Sequence, residues 1–363
     1  LERRRRVLGG LTSDRYAEFR ERYRMRPDLF VLECIKWNSE EEGDGPSAYQ
    51  LEVLSELPLR KRVSVRGPHG IGKTALAAWI VLWYALTRDG EEGDWKTVTT
   101  ASAWRQLTKY LWPEVRKWRS AIRWERIGRP MMREGVEAMV MSLKLSSGEA
   151  FAVASNQPAL IEGAHADHML YIYDEAKTII DETYDATEGA FSTAGEGAGE
   201  AFALAISTPG PPTGRFYDIQ SRKAGYEDWW VRHVTLDEAI EADRVSADWA
   251  EARKRQWGEK SAVYQNRVLG EFAVGHEDGL IPLAWIEDAI ERWHIWQERV
   301  EGADGRDERM RARGRLTGIG VDVGGGGADA DKSTLAFCYD HVRIQEIRRL
   351  ERDDVRTSTM ELA

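Results

Sequence analysis

Apolar positions along this chain fall into a few dense runs separated by charged, turn-rich stretches, and the runs differ in period. Val63 and Val65 alternate with polar neighbours, as in a short strand. Residues 75–86 are apolar nearly all round, which predicts a helix enclosed by a core. A second strand is expected over 98–101, running into 102–107 and then a helix through 111–115. Residues 138–155 predict a hairpin, with strands at 139–145 and 150–154 flanking Ser146-Ser147-Gly148. The run Met169-Leu170-Tyr171-Ile172-Tyr173 ends in Asp174 and Glu175, the pattern of a buried central strand in a parallel sheet. A further apolar run, 203–206, ends in Ser207 and Thr208 and passes into the turn-rich 209–214.

The remaining stretches are more polar. Residues 1–45 read as charged helices closing on an acidic turn, and 49–57 have apolar positions at helical spacing. The glycine-rich 195–199 reads as a flexible loop, because no lysine or helix start follows it. Residues 236–300 are charged, helical and rich in tryptophan, and the charged 301–315 reads as a boundary. The chain then gives a strand containing Asp322, a glycine turn at 324–327, an apolar second strand and a third over 342–347.

Composition adds bounds and no substrate. A chain of 363 residues with 42% hydrophobic and 31% charged residues fits a soluble globular protein of two or three domains. No apolar run reaches membrane-spanning length, so no membrane partner is expected. The segment Leu1-Glu2-Arg3-Arg4-Arg5-Arg6 has no hydrophobic stretch after it and does not read as a secretory signal. Cys34 and Cys338 lie far apart, which excludes a disulfide framework or a cysteine-based zinc site. The net charge of −10 argues against coating nucleic acid through bulk electrostatics but leaves local contacts open, with basic clusters at 3–6, 20–26, 60–66 and 105–133.

Chemistry enters at residues 63–74. Gly67, Gly72, Lys73 and Thr74 fill the G-x-x-x-x-G-K-[ST] template between a strand and a helix, and Pro68, His69, Gly70 and Ile71 complete the loop. Such a loop converges backbone N–H groups on an anion, and the helix N-terminus adds partial positive charge. Lys73 is then the cation for the β- and γ-phosphates, and Thr74 a magnesium ligand. A glutamine side chain carries a donor and an acceptor, so Gln50, a short helix upstream, is a candidate reader of adenine. Asp174, at a parallel-strand end, is placed to hold magnesium, and Glu175 to orient and deprotonate water. Ser207 and Thr208 are candidates for sensing the γ-phosphate. Asp322, in a strand–turn–strand like those that open ribonuclease-H-like nucleases and actin-like ATPases, is a candidate ligand for divalent cations.

Together these motifs resemble the large terminase subunit of tailed bacteriophages, the ATPase and nuclease that packages DNA. The resemblance runs from Pro46 to the end through Tyr49-Gln50, Arg66 to Thr74, residues 100–112, Gly163-Ala164-His165, Tyr171 to Ala176, Ser207-Thr208-Pro209, residues 268–272 and the Asp322 turn. It implies an α/β fold: a P-loop NTPase domain with a mostly parallel sheet, a helical lid or linker, and the beginning of a ribonuclease-H-like nuclease. The expected division is an N-terminal helical arm at 1–45, the ATPase domain at 46–235, the lid or linker at 236–315 and the nuclease start at 316–363.

By position, the resemblance assigns ATP to Gln50 and Arg66–Thr74, magnesium to Thr74 and Asp174, catalysis to Lys73 and Glu175, and coupling to Ser207 and Thr208. Asp322 and Asp331 match nuclease contacts for Mg²⁺ or Mn²⁺. The family also uses an arginine finger, for which Arg66, Arg105 and Arg215 are candidates with none assigned. Implied partners are double-stranded DNA, the portal protein, the small terminase subunit and further copies in a ring, usually pentameric, in the bacterial host cytoplasm. Carboxylates from a later strand and helix are missing before Ala363, so these residues are expected not to cleave DNA. Two rival readings are another P-loop translocase or helicase-like ATPase, and a non-catalytic prophage remnant.

Overall fold

The computed structural model of the chain describes residues 14–38, 45–90, 93–194, 199–273, 283–322, 334–339 and 343–349. The chain divides into two compact units, residues 1–282 and 283–363. The first is built on a seven-stranded sheet of β1 (Arg62–Arg66), β2 (Trp95–Ala101), β3 (Ser142–Lys144), β4 (Gly148–Ala154), β5 (His168–Asp174), β6 (Glu200–Ser207) and β7 (Trp230–His233). Its order is β3-β4-β2-β5-β6-β1-β7. Every neighbouring pair is parallel except the β3–β4 hairpin at one edge. The mostly parallel sheet expected from the sequence is therefore present, and the hairpin at 138–155 forms with a shorter first strand.

The strands form where both faces are covered. All seven residues of β5 are buried, because the period-2 side chains leave alternately to two cores. Leu170, Ile172, Leu204 and Ile206 join one core with the helix Lys73–Arg88, while Tyr171, Tyr173, Ala203 and Ala205 join the other with Tyr184 and Phe216. That first helix is buried on every side from Leu76 to Arg88, as its sequence predicts. Burial of Trp79, Trp83 and Tyr84 stabilises it by roughly 1.5–3 kcal/mol per large side chain. At its C-terminal end Arg88 is fully buried and pairs with Glu200 at 2.6 Å, the first residue of β6. Arg88 also donates to the Arg24 carbonyl and stacks on Trp83 and Tyr84.

Phe19, Tyr23, Phe30 and Val31 belong to the main core, so residues 14–38 pack in the first unit. The helices Leu236–Glu241 and Ala247–Trp257 also pack in that unit, through Val234, Ala239, Val245 and Ala250. The helices Leu283–Glu301 and Gly305–Arg313 belong to the second unit, with a three-stranded antiparallel sheet. These strands are β8 (Leu316–Asp322), β9 (Thr334–Tyr339) and β10 (Arg343–Arg349). Asp322 closes β8 opposite Thr334. Its side chain, the glycine turn that follows it and Asp331 lie outside the described residues, as do 1–6, 39–44 and 195–198.

Candidate nucleotide and metal site

In an open parallel sheet the carboxyl ends of the strands face a crevice, and the register fixes which residues meet there. Asp174 pairs with Ile206, and Arg66 with Ser207, so β5, β6 and β1 end level with one another. Strand β6 lies between the strand that carries Asp174-Glu175 and the strand that enters the glycine loop. Ser207 and Thr208 therefore sit between the two acidic residues and the loop.

The loop itself turns at Gly70 (φ +84°) and at Gly72 (φ +87°), which precedes the first helical residue, Lys73. This left-handed region is open to glycine at little steric cost. Lys73 curls back to donate to the Gly67 and Pro68 carbonyls at 3.2 and 2.6 Å. Burial lowers its pKa to about 8 against the opposing attraction of Glu175 and Asp174, with Lys177 lowering it further. A cleft of about 480 Å³ opens along Gly70–Thr74, walled by Lys109, Tyr110, Glu114 and Lys117 and reaching Glu175. That volume falls within the usual range for small-ligand sites.

Asp174 is buried and accepts from the Glu175 N–H through Oδ1, while its Oδ2 has no hydrogen-bond partner. Burial, then the neighbouring Glu175 charge, raises its pKa to about 7. Glu175 sits in the left-handed region (φ 50°, ψ 49°), at a cost of about 1–3 kcal/mol for a non-glycine residue. Its carboxylate accepts from Ser207 Oγ at 3.1 Å, so the acidic turn and the end of β6 are directly linked.

No group of three or more His, Cys, Asp or Glu side chains able to hold a metal occurs among the described residues. A magnesium ion that keeps waters and phosphate oxygens needs only one or two protein ligands, and the orphaned Asp174 Oδ2 with the Thr74 hydroxyl fits that requirement.

The other expected site residues have the following surroundings. Gln50 is 1% exposed; its Oε1 accepts from Ser47 N at 2.8 Å and Ser47 Oγ at 3.1 Å, and its Nε2 donates to the Gly72 carbonyl at 3.0 Å. In this structure both acceptor positions and one donor of the amide are occupied. Gln50 caps its helix and braces the loop from behind. The Arg66 guanidinium is held by residues 270–272, pairing with Glu271 at 3.0 Å, donating to the Gly270 carbonyl and lying over the Phe272 ring. Arg215 pairs with Asp185 at 2.8 Å and lies over Tyr184 and Tyr226. Arg105 is exposed.

Sequence reasoning missed the roles of three features. Lys177, on the turn after Glu175, donates to Thr208 Oγ1 at 3.1 Å and the Pro209 carbonyl at 3.2 Å. Residues 265–273 form a strap over the loop, in which the Arg267 carbonyl accepts from His69 N at 2.9 Å. In the same strap, the position where Gly270 would carry a Cβ lies 2.8 Å from Gly67 Cα. A second cavity of about 510 Å³, lined by Pro46, Tyr49, Glu241 and Arg244, adjoins the loop. Tyr49 Oη donates to the Ile71 carbonyl, and the Arg244 carbonyl is 3.6 Å from where a Cβ on Gly70 would stand.

No protein-family model matches this chain. Over 209 residues, 55% of the chain, it is 30% identical to a probable terminase large subunit of Enterobacteria phage P7. The chain resembles phage large terminase subunits. The matched stretch spans 38% of the relative's length. The solved large terminase of bacteriophage HK97 has a similar fold, with a TM-score of 0.50 and 12% identity over 93% of this chain and 71% of that one. The large terminase of a thermophilic bacteriophage, solved in complex with ATP-gamma-S, gives a TM-score of 0.48 and 15% identity over 87% of this chain and 73% of that one.

Proposed function

We propose that this chain is the ATP-hydrolysing part of a phage DNA-packaging motor. The observation that carries the reading is the meeting of the Gly67–Thr74 loop, the Asp174-Glu175 turn and the Ser207 hydroxyl at three level strand ends. The sequence likeness to a terminase large subunit supports the DNA-packaging context, and the glycine loop with Lys73 at a helix start supports a nucleoside triphosphate as the ligand.

In this reading the loop N–H groups and the N-terminus of helix Lys73–Arg88 hold the triphosphate, and Lys73 leaves its own loop carbonyls for the β- and γ-phosphates. Thr74 and Asp174 would hold magnesium, which would supply charge neutralisation at the phosphates. Glu175, held by Ser207, aligns and deprotonates the attacking water. The adenine and ribose occupy the cavity between Tyr49 and Arg244, with Gln50 supporting the loop. Ser207 and Thr208 report the state of the γ-phosphate to the chain beyond β6. Double-stranded DNA, the portal, the small terminase subunit and other copies of the chain in a ring are the partners of this reading. Asp322 and Asp331 are its candidate cation contacts in a nuclease unit, with Mg²⁺ or Mn²⁺.

Phosphate release with and without duplex DNA tests the proposal. A packaging motor predicts turnover that duplex DNA changes and that ADP inhibits. Wild-type protein that binds no adenine nucleotide would overturn it.

A further inference from the structure

Lys177 is a cation of the site that no motif accounts for. It lies on the short 3₁₀ turn Ala176–Thr178, two residues after the catalytic carboxylate proposed above. Its ammonium rests on two uncharged acceptors, the Thr208 hydroxyl at 3.1 Å and the Pro209 carbonyl at 3.2 Å. Among the described residues, the hydrogen-bond partners of its ammonium are that hydroxyl and that carbonyl. Its stem packs on the same turn, since a Cβ on Gly210 would stand 3.2 Å from Lys177 Cδ.

The location gives this cation a use. A cavity of about 350 Å³ is lined by His69, Glu175, Lys177, Thr208 and Arg267. His69 and Glu175 also line the phosphate cleft along Gly70–Thr74, so the two spaces meet where the far end of a bound triphosphate would lie. A lysine whose ammonium is hydrogen-bonded to an uncharged hydroxyl and carbonyl is poised to exchange those partners for a phosphate oxygen. The present bonds are charged on the lysine side alone, whereas a phosphate oxygen adds the opposite charge on the acceptor, which favours the exchange. The released segment is not isolated: the Gly210 carbonyl accepts from Ala273 N, in the strap that also holds His69.

We propose that Lys177 is a γ-phosphate-responsive latch that holds the Thr208–Pro209 turn closed and releases it when the nucleoside triphosphate, but not the diphosphate, fills the site. This rests on the ATP reading above and assigns one further substrate-contacting residue to it. The consequence is a defined route from the terminal phosphate through Lys177 to Thr208, Pro209 and Gly210, and on to the strap.

The test compares ADP and ATP-γ-S binding by calorimetry in wild type, Lys177→Gln, Lys177→Arg and Thr208→Val, with thermal unfolding of each. Lys177→Gln should lose about tenfold in ATP-γ-S affinity with ADP affinity unchanged, and Lys177→Arg should retain the preference. Thr208→Val removes an acceptor that competes for the ammonium and should tighten ATP-γ-S roughly threefold without affecting ADP. Equal losses for both nucleotides in Lys177→Gln, or an unchanged ratio in both the Gln and Val variants, would show a structural brace and overturn the latch. If the wild type binds both nucleotides equally well, the latch fails while the ATP reading stands. If it binds neither, the ATP reading itself fails.

Discussion

Replacing Gly270 by alanine should weaken nucleotide binding although the residue belongs to neither the loop nor the acidic turn. Gly270 has φ +70° and closes the π-helical turn Gln265–Leu269. An added Cβ would stand 2.8 Å from Gly67 Cα, 2.9 Å from Gly67 C and 2.9 Å from Pro68 Cδ. These are backbone and ring atoms, so no flexible side chain can yield. Two costs add: roughly 1–2 kcal/mol for an alanine in the left-handed region, and about 1–3 kcal/mol for overpacking. Gly135 separates them, because it has φ +74° and no heavy atom within 4 Å of its ideal Cβ.

Urea unfolding of Gly135→Ala should therefore show a loss of about 1–2 kcal/mol with ADP affinity unchanged. Gly270→Ala should lose a further 1–3 kcal/mol or so. Relief of the clash by moving the strap or the loop should weaken ADP binding about tenfold, which corresponds to about 1.4 kcal/mol. Equal stability losses in the two variants, with ADP affinity intact in both, would refute the claim that the strap sets the loop's shape.

Two further outcomes follow from the geometry. Gln50→Ala should weaken ATP and GTP binding by the same factor and lower stability by about 1–2 kcal/mol, through loss of the capping box and the loop brace; a selective loss of ATP over GTP in competition titrations would restore an adenine-reading role. Glu200→Gln should cost about 3–5 kcal/mol in chemical unfolding, because Arg88 would remain buried with its carboxylate partner gone. Desolvation opposes the charged form of Glu200, but Arg88, Arg24 and His168 together more than offset it and the folded pKa is lowered. The group's contribution is therefore full above the unfolded carboxylate value of roughly 4.3 and is lost as pH falls through the lower folded value. Thermal unfolding of Glu200→Gln should accordingly lack the acid-limb slope that this residue gives the wild type.

Much of the site is legible in the sequence because its parts are local. A glycine loop with Lys73 at a helix start and an apolar strand ending in Asp174-Glu175 each declare themselves within about ten residues. The capping role of Gln50 was legible too, since Ser47-x-x-Gln50 matches the capping-box pattern just before an apolar helix. Strand order is another matter. Periodicity shows that 203–207 is a buried strand, but its insertion between β1 and β5 is set by long-range pairing. For the same reason the strap gives little local signal: Arg66 meets Glu271 across 205 residues. Gly270 after a helical turn reads only as an ordinary helix stop. Lys177 leaves one trace, a single cation directly after an acidic strand end, and its partners come from the other side of the site.

The central claim is that Glu175 activates water at a nucleotide held by the glycine loop. Steady-state phosphate release by Glu175→Gln, measured beside its ATP-γ-S affinity, tests it most directly. A positioned base accounts for about 10²–10⁴-fold in rate. The predicted result is a fall of at least about 100-fold in turnover with ATP-γ-S affinity within about threefold of wild type. Turnover equal to wild type in a variant that still binds ATP-γ-S would contradict the account.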